Sequence, residues 1–122
     1  PATRGAGTRV ELRCPDPAAN PYLVLAVCLE AGLDGIRNQI TPPDAVTENV
    51  FEMQLQQRAK LGIESLPGDL EQAVEELEKD DYIKNVLGGH ITEKYLEAKR
   101  AEWADYRAQV TEWEIEKYLY KI

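Results

Sequence analysis

The sequence predicts a mainly α-helical chain that carries a single N-terminal strand, over about Thr8 to Cys14. Three observations lead there. Residues 8–14 (Thr-Arg-Val-Glu-Leu-Arg-Cys) alternate polar with apolar side chains, the period of a half-exposed strand. From Tyr22 onward, apolar residues recur at helical spacing behind recognisable caps at Asn20-Pro21, Asp69 and Thr111. The 122 residues are 43% hydrophobic and 30% charged, as expected of a water-facing helical domain.

The bulk numbers exclude several classes of function. A formal net charge of −8 leaves no general basic face for nucleic acid or an anionic membrane surface. The basic residues concentrate only locally, at Arg4, Arg9 and Arg13. Two cysteines, Cys14 and Cys28, in dissimilar surroundings suggest neither a disulfide framework nor a metal site, and favour a reducing, cytoplasmic setting. The longest apolar run, Tyr22 to Leu29, is too short to span a bilayer.

One domain is expected, divided into a loop and strand (1–21), a helical region (22–110) and a C-terminal helical segment (111–122). Residues 1–7 read as a loop whose Gly5-Ala6-Gly7 matches neither the dinucleotide fingerprint nor the P-loop. Cys14-Pro15-Asp16-Pro17 ends the strand, because proline donates nothing to a ladder. Asn20 caps and Pro21 opens a helix over Tyr22 to Leu33, terminated by Gly35 or Asn38. That helix is apolar nearly all round and should be buried on most sides, more than so short a chain can cover. A lone strand likewise needs a partner, so the chain reads as the C-terminal piece of a longer protein.

Thr41-Pro42-Pro43 breaks the chain, Val50 to Met53 forms a short apolar patch, and Gln54 to Leu61 is a short helix ending at Gly62. Asp69 and Gln72 resemble a capping box, ahead of Leu70, Ala73, Val74 and Leu77 on one face. Glu71, Glu75, Glu76 and Glu78 cover the other face, which reads as solvated. Asp80 or Asp81 caps a short helix ended by Gly88-Gly89. The longest helix follows, from about Ile91 to Gln109, with Leu96, Trp103, Tyr106 and Val110 as its expected core stripe. His90, the only histidine, reads as a capping or surface residue, with no second ligand at metal spacing. Thr111 and Glu114 form another capping box, before the amphipathic end Trp113 to Ile122, which should dock onto its own core or a neighbouring subunit.

Chemistry concentrates in the opening stretch. Glu11 offers oxygen to a hard divalent cation such as magnesium or manganese. Arg13 can hold a carboxylate or phosphate bidentately, and Arg9 a nucleotide phosphate. Such a set suits phosphoryl transfer, where positioning and charge neutralisation dominate. An ordinary salt-bridged strand surface is the reading that spacing alone favours. No nucleophile, general base or complete metal shell can be assembled from the chain.

The stretch Arg9-Val10-Glu11-Leu12-Arg13, with Pro15-Asp16-Pro17-Ala18-Ala19-Asn20-Pro21-Tyr22 and Ala31-Gly32-Leu33-Asp34-Gly35-Ile36, resembles the C-terminal part of bacterial type I glutamine synthetase. The likeness continues through Leu66-Pro67, Glu97-Ala98-Lys99-Arg100 and Gln109-Val110-Thr111 to Trp113-Glu114. It implies the helical C-terminal fragment of an α+β catalytic domain that joins ammonia to glutamate with ATP, through γ-glutamyl phosphate and with magnesium or manganese. By the same resemblance Glu11 is a metal ligand. Arg13 is the catalytic arginine that contacts substrate glutamate or the transferred phosphate, and Arg9 belongs to the nucleotide site. No role is carried over to Arg4. Where some relatives have a tyrosine for adenylylation after Asn-Val, this chain has Phe51, which places it with the unadenylylated subgroup.

The resemblance further implies self-assembly into a dodecamer of two hexameric rings through the C-terminal segment, and allows a transcription regulator as a partner there. The isolated chain lacks most metal ligands, so it is expected to be inactive and to hold no tightly bound cofactor. It is also expected to self-associate or to fold back its last helix. Two other readings stand beside this one: a free-standing helical interaction module without catalysis, and a related ligase joining glutamate to another amine.

Overall fold

The structure is a computed structural model and describes residues 5–121. Those residues are mainly helical, with no β-strand among them. The expected strand over Thr8 to Cys14 is therefore not formed. A strand exists only when its N–H and C=O groups find a neighbour, and the described residues offer no second strand. The alternation nevertheless survives in the side chains, since Arg9, Glu11 and Arg13 meet on one side of the segment. The described residues divide into two compact units between Leu66 and Pro67.

In the first unit, Asp16 folds the proline-rich segment back on itself. Its carboxylate accepts from the Ala18 N–H at 2.7 Å and its carbonyl from the Ala19 N–H at 3.0 Å. Helix α1 (Pro21–Arg37) follows, with the Asn20 side chain accepting from the N–H groups of Tyr22 and Leu23 and Pro21 at its first position. Its end is set by a six-residue turn: the Ile40 N–H donates to the Gly35 carbonyl (2.9 Å) and the Gln39 N–H to that of Ile36 (3.3 Å). Gln39 takes a left-handed φ of 51° to make it. No residue of α1 is buried, and Tyr22, Leu25, Leu29 and Ile36 are exposed. The helix is thus as apolar as expected, but this chain leaves much of that surface open.

Asn49 caps a single 3-10 turn (Val50–Glu52), and its amide also donates to the Glu52 carboxylate at 2.8 Å. The turn sorts the apolar patch sharply: Met53 is buried, whereas Phe51 is 99% exposed. Helix α2 (Leu55–Lys60) ends in the same type of turn as α1, with the Ile63 N–H on the Arg58 carbonyl at 2.9 Å and Gly62 at φ 65°.

The second unit opens with a three-helix corner. Helix α3 (Leu70–Lys79) is capped by Asp69, whose carboxylate accepts from the Gln72 N–H at 2.8 Å. The Gln72 side chain reaches the Gly68 N–H (3.0 Å), one residue further back than in a standard capping box. Asp80 ends α3 and at once caps α4 (Asp81–Leu87), accepting from the Ile83 N–H at 3.0 Å. Gly88, at φ 78°, turns the chain into α5 (Gly89–Arg107).

Lys84 ties the corner together. Its ammonium donates to the Glu78 carbonyl (2.6 Å) at the end of α3 and pairs with Asp81 (2.8 Å). Its own carbonyl accepts from the Thr92 hydroxyl of α5 at 3.2 Å. Arg100 of α5 pairs with Glu78 of α3. Val74, 6% exposed, is the apolar centre of α3, as its spacing implied. The stripe on α5 differs from expectation: Thr92 is buried and Leu96, Lys99 and Trp103 half-buried, while Tyr106 and Val110 are exposed. Burial follows the sides of α5 that meet α3 and α4, and Val110 lies beyond the end of the helix.

Thr111 caps a last helical segment, α6 (Glu112–Glu114), which passes into a wide turn over Ile115–Leu119. The capping box is complete: the Glu114 N–H donates to the Thr111 hydroxyl (3.2 Å) and the Thr111 N–H to the Glu114 carboxylate (2.8 Å). That second bond holds the Glu114 carboxyl below the usual carboxylate range. Every described residue from Thr111 onward is exposed, so the segment is not folded back onto a core.

Candidate functional site

The site begins at a reverse turn. The Thr8 N–H donates to the Gly5 carbonyl (3.0 Å), and the Thr8 hydroxyl accepts from the Gly5 N–H (2.8 Å). The carbonyl of Gly7, inside this turn, accepts from the Arg9 guanidinium at 3.1 Å. Arg9 Nε also donates to Glu11 Oε1 at 2.7 Å. Arg13 donates to the other carboxylate oxygen, Oε2, at 2.8 Å. One carboxylate is therefore clasped between two guanidinium groups, all on one side of the segment and all open to solvent.

The Arg13 hydrogen bond first, then that of Arg9, holds the Glu11 carboxyl below the usual carboxylate range. At neutral pH it is an ionised oxygen donor, which is what a hard cation needs. Among the described residues no group of three or more His, Cys, Asp or Glu could hold a metal ion. Glu11 has the chemistry of one ligand to a hard cation, but both its carboxylate oxygens are paired with arginine here, and the described residues supply no complete shell around it. Arg4 lies outside the described residues. Cys14 and Cys28 are free thiols, Cys14 exposed and Cys28 half-buried.

His90 is exposed in the first turn of α5, where the cap position is Gly88 and no side chain caps, so it is a surface residue. A cleft of about 300 Å³ lies between α3 and α5, lined by Glu71, Val74, Glu78, Arg100, Trp103 and Arg107 among others. It holds no nucleophile beside a base, and the Glu78–Arg100 pair accounts for two of its charges. The role of the Gly7 carbonyl escapes motif reading, since the signal is turn chemistry around Gly5-Ala6-Gly7-Thr8 and no side chain marks it. No helix among the described residues is long and apolar enough to cross a membrane.

The family profile described as "Glutamine synthetase, catalytic domain" matches residues 1–118. A glutamine synthetase of Clostridium saccharobutylicum is 54% identical over 121 residues, covering 99% of this chain and 27% of that protein. One from Thermotoga maritima is 52% identical over 120 residues, 98% of this chain and 27% of that protein. A solved structure described as a GmaS/ADP complex superposes with a TM-score of 0.77 at 42% identity, covering 88% of this chain and 24% of that one. The chain spans about a quarter of the length of the curated relatives it matches.

Proposed function

Because this chain belongs to the glutamine synthetase catalytic-domain family, we propose that it forms the C-terminal part of the catalytic domain of a cytoplasmic enzyme that joins ammonia to glutamate at the expense of ATP. The observation that carries this reading is the Arg9–Glu11–Arg13 clasp. It presents one ionised oxygen donor and two planar cations at one place, the residue types that γ-glutamyl phosphate chemistry requires.

A divalent cation, when bound, neutralises phosphate charge. Glu11 would give it a hard oxygen ligand, with the remaining ligands drawn from the rest of the protein. Arg13 binds the substrate carboxylate or the transferred phosphoryl group, where a fixed guanidinium stabilises developing charge. In this reading Arg9 holds a nucleotide phosphate, and the similar GmaS structure, described as an ADP complex, supports a nucleotide-using parent enzyme. The exposed aromatic segment after Thr111 is the natural surface for self-assembly of the family's two-ringed dodecamer.

Phe51, standing where adenylylated relatives have a tyrosine, supports a reading of the protein as one of the unadenylylated, bacterial type I subgroup. Its ring is fully exposed but has no hydroxyl to modify. Incubation with an adenylyltransferase should leave residues 41–60 without an AMP adduct by mass spectrometry; an adduct there would overturn the subgroup assignment.

The main test uses the full-length gene product, assayed for glutamine formed from glutamate, ammonia and ATP with magnesium. Activity is expected there and none from the 122-residue chain alone, which holds a single carboxylate ligand in its clasp. Parallel assays with small primary amines separate a glutamine synthetase from a related glutamate–amine ligase. A full-length protein inactive with every amine would refute the reading in favour of a helical interaction module.

A further inference from the structure

We propose that Thr8, outside the Arg-x-Glu-x-Arg motif, is a positioning residue that sets nucleotide affinity by fixing the orientation of the Gly7–Thr8 peptide against which Arg9 rests. The inference builds on the assignment of Arg9 to the nucleotide made above.

A single planar unit connects Thr8 to Arg9. The Gly7 carbonyl and the Thr8 N–H belong to the same trans peptide, so they point in opposite directions. The Thr8 N–H is turned inward, onto the Gly5 carbonyl at 3.0 Å. The Gly7 carbonyl must then face out of the turn, where it accepts from Arg9 at 3.1 Å. A single backbone bond across a Gly-rich turn is a weak restraint, because glycine tolerates nearly every alternative. Thr8 adds a second: its hydroxyl accepts from the Gly5 N–H at 2.8 Å, so one residue closes the turn from both sides.

Arg9 is consequently held at two ends, by the Gly7 carbonyl on one nitrogen and by Glu11 on Nε. A long side chain pinned in this way loses less freedom when it meets a phosphate than one that must be ordered on binding. Release of the turn lets the Gly7 carbonyl rotate away and leaves Arg9 tethered only by the carboxylate that it shares with Arg13. Arg13 is held by the other oxygen of Glu11, so its own ligand should not feel the change.

The experiment uses the full-length gene product and two variants, Thr8→Val, which keeps the side-chain volume without the hydroxyl, and Thr8→Ser, which keeps the hydroxyl. Binding of ATP with magnesium is measured by calorimetry, and KM values for ATP and glutamate are measured separately. Thr8→Val should weaken ATP binding and raise its KM by about three- to tenfold, the effect of one ordinary hydrogen bond. The KM for glutamate and the Tm should stay as in the wild type, and Thr8→Ser should restore ATP affinity. Unchanged ATP binding in Thr8→Val overturns the inference while wild-type glutamine synthesis leaves the proposed function standing. Equal losses for ATP and glutamate, or no recovery in Thr8→Ser, also overturn it. A wild-type protein that neither binds ATP nor makes glutamine removes both.

Discussion

Two helices of the first unit end in the same six-residue turn but with different residues at its left-handed position, and the contrast sets up a paired test. Gly62 sits at φ 65° after α2 and Gln39 at φ 51° after α1. A Cβ added at Gly62 would meet nothing within 4 Å, so Gly62→Ala creates no clash and its cost is purely conformational. An L side chain in the left-handed region costs about 1–2 kcal/mol. Alanine also narrows the unfolded ensemble, which returns about 0.4–1 kcal/mol. The net expectation is a loss of about 0.5–1 kcal/mol, and Gln39→Gly should bring a gain of similar size.

Local opening is read most directly by amide hydrogen exchange at the two N–H groups that close the turns, Ile63 on the Arg58 carbonyl and Ile40 on the Gly35 carbonyl. Gly62→Ala should lower protection at Ile63 by about two- to fivefold and leave Ile40 unchanged. Gln39→Gly should raise protection at Ile40 by a similar factor. Equal protection at Ile63 in wild type and Gly62→Ala, or a fall at Ile40 in Gln39→Gly, would refute the reasoning.

Two further expectations concern charge and capping. The Glu11 carboxyl is held below the usual carboxylate range, so the clasp is intact at and above that range and is lost only as pH falls through the lowered value. Titration of the Glu11 carboxyl carbon by NMR should show a midpoint below that of a free glutamate, and Arg13→Ala should move it upward; a midpoint at or above the ordinary value would contradict the clasp. Asp80 serves two helices, so Asp80→Ala should cost about 1 kcal/mol, a fall in Tm of roughly 4–8 °C for a unit of this size. Asp80→Asn, which keeps an acceptor for the Ile83 N–H, should stay near the wild type, and equal Tm values for all three would dismiss the cap.

What the sequence made readable was local. Asn20-Pro21, Asp69 and Thr111 start helices because a short polar side chain meets free N–H groups two or three residues on, and that chemistry needs no knowledge of the rest of the chain. The Arg9–Glu11–Arg13 clasp was legible for the same reason, as alternation alone brings those side chains together. Features that depend on a distant partner are less well marked, although the buried face of α3 around Val74 is legible from its spacing. The strand over Thr8 to Cys14 fails for want of a neighbour. The aromatic pattern of α5 suggested Tyr106 and Val110 as core, yet the buried position is Thr92. Its hydroxyl is accommodated because the Lys84 carbonyl stands opposite. The Glu78–Arg100 pair joins residues 22 apart, and no periodicity marks it.

The central claim is that Glu11 is a metal ligand of a glutamate–ammonia ligase, and manganese binding to the full-length gene product tests it most directly. Mn(II) affinity measured by electron paramagnetic resonance, with glutamine synthesis followed on the same samples, should fall more than about tenfold in Glu11→Gln, with loss of synthesis and unchanged Tm. A Glu11→Gln protein that binds Mn(II) as the wild type does and still makes glutamine would contradict the account.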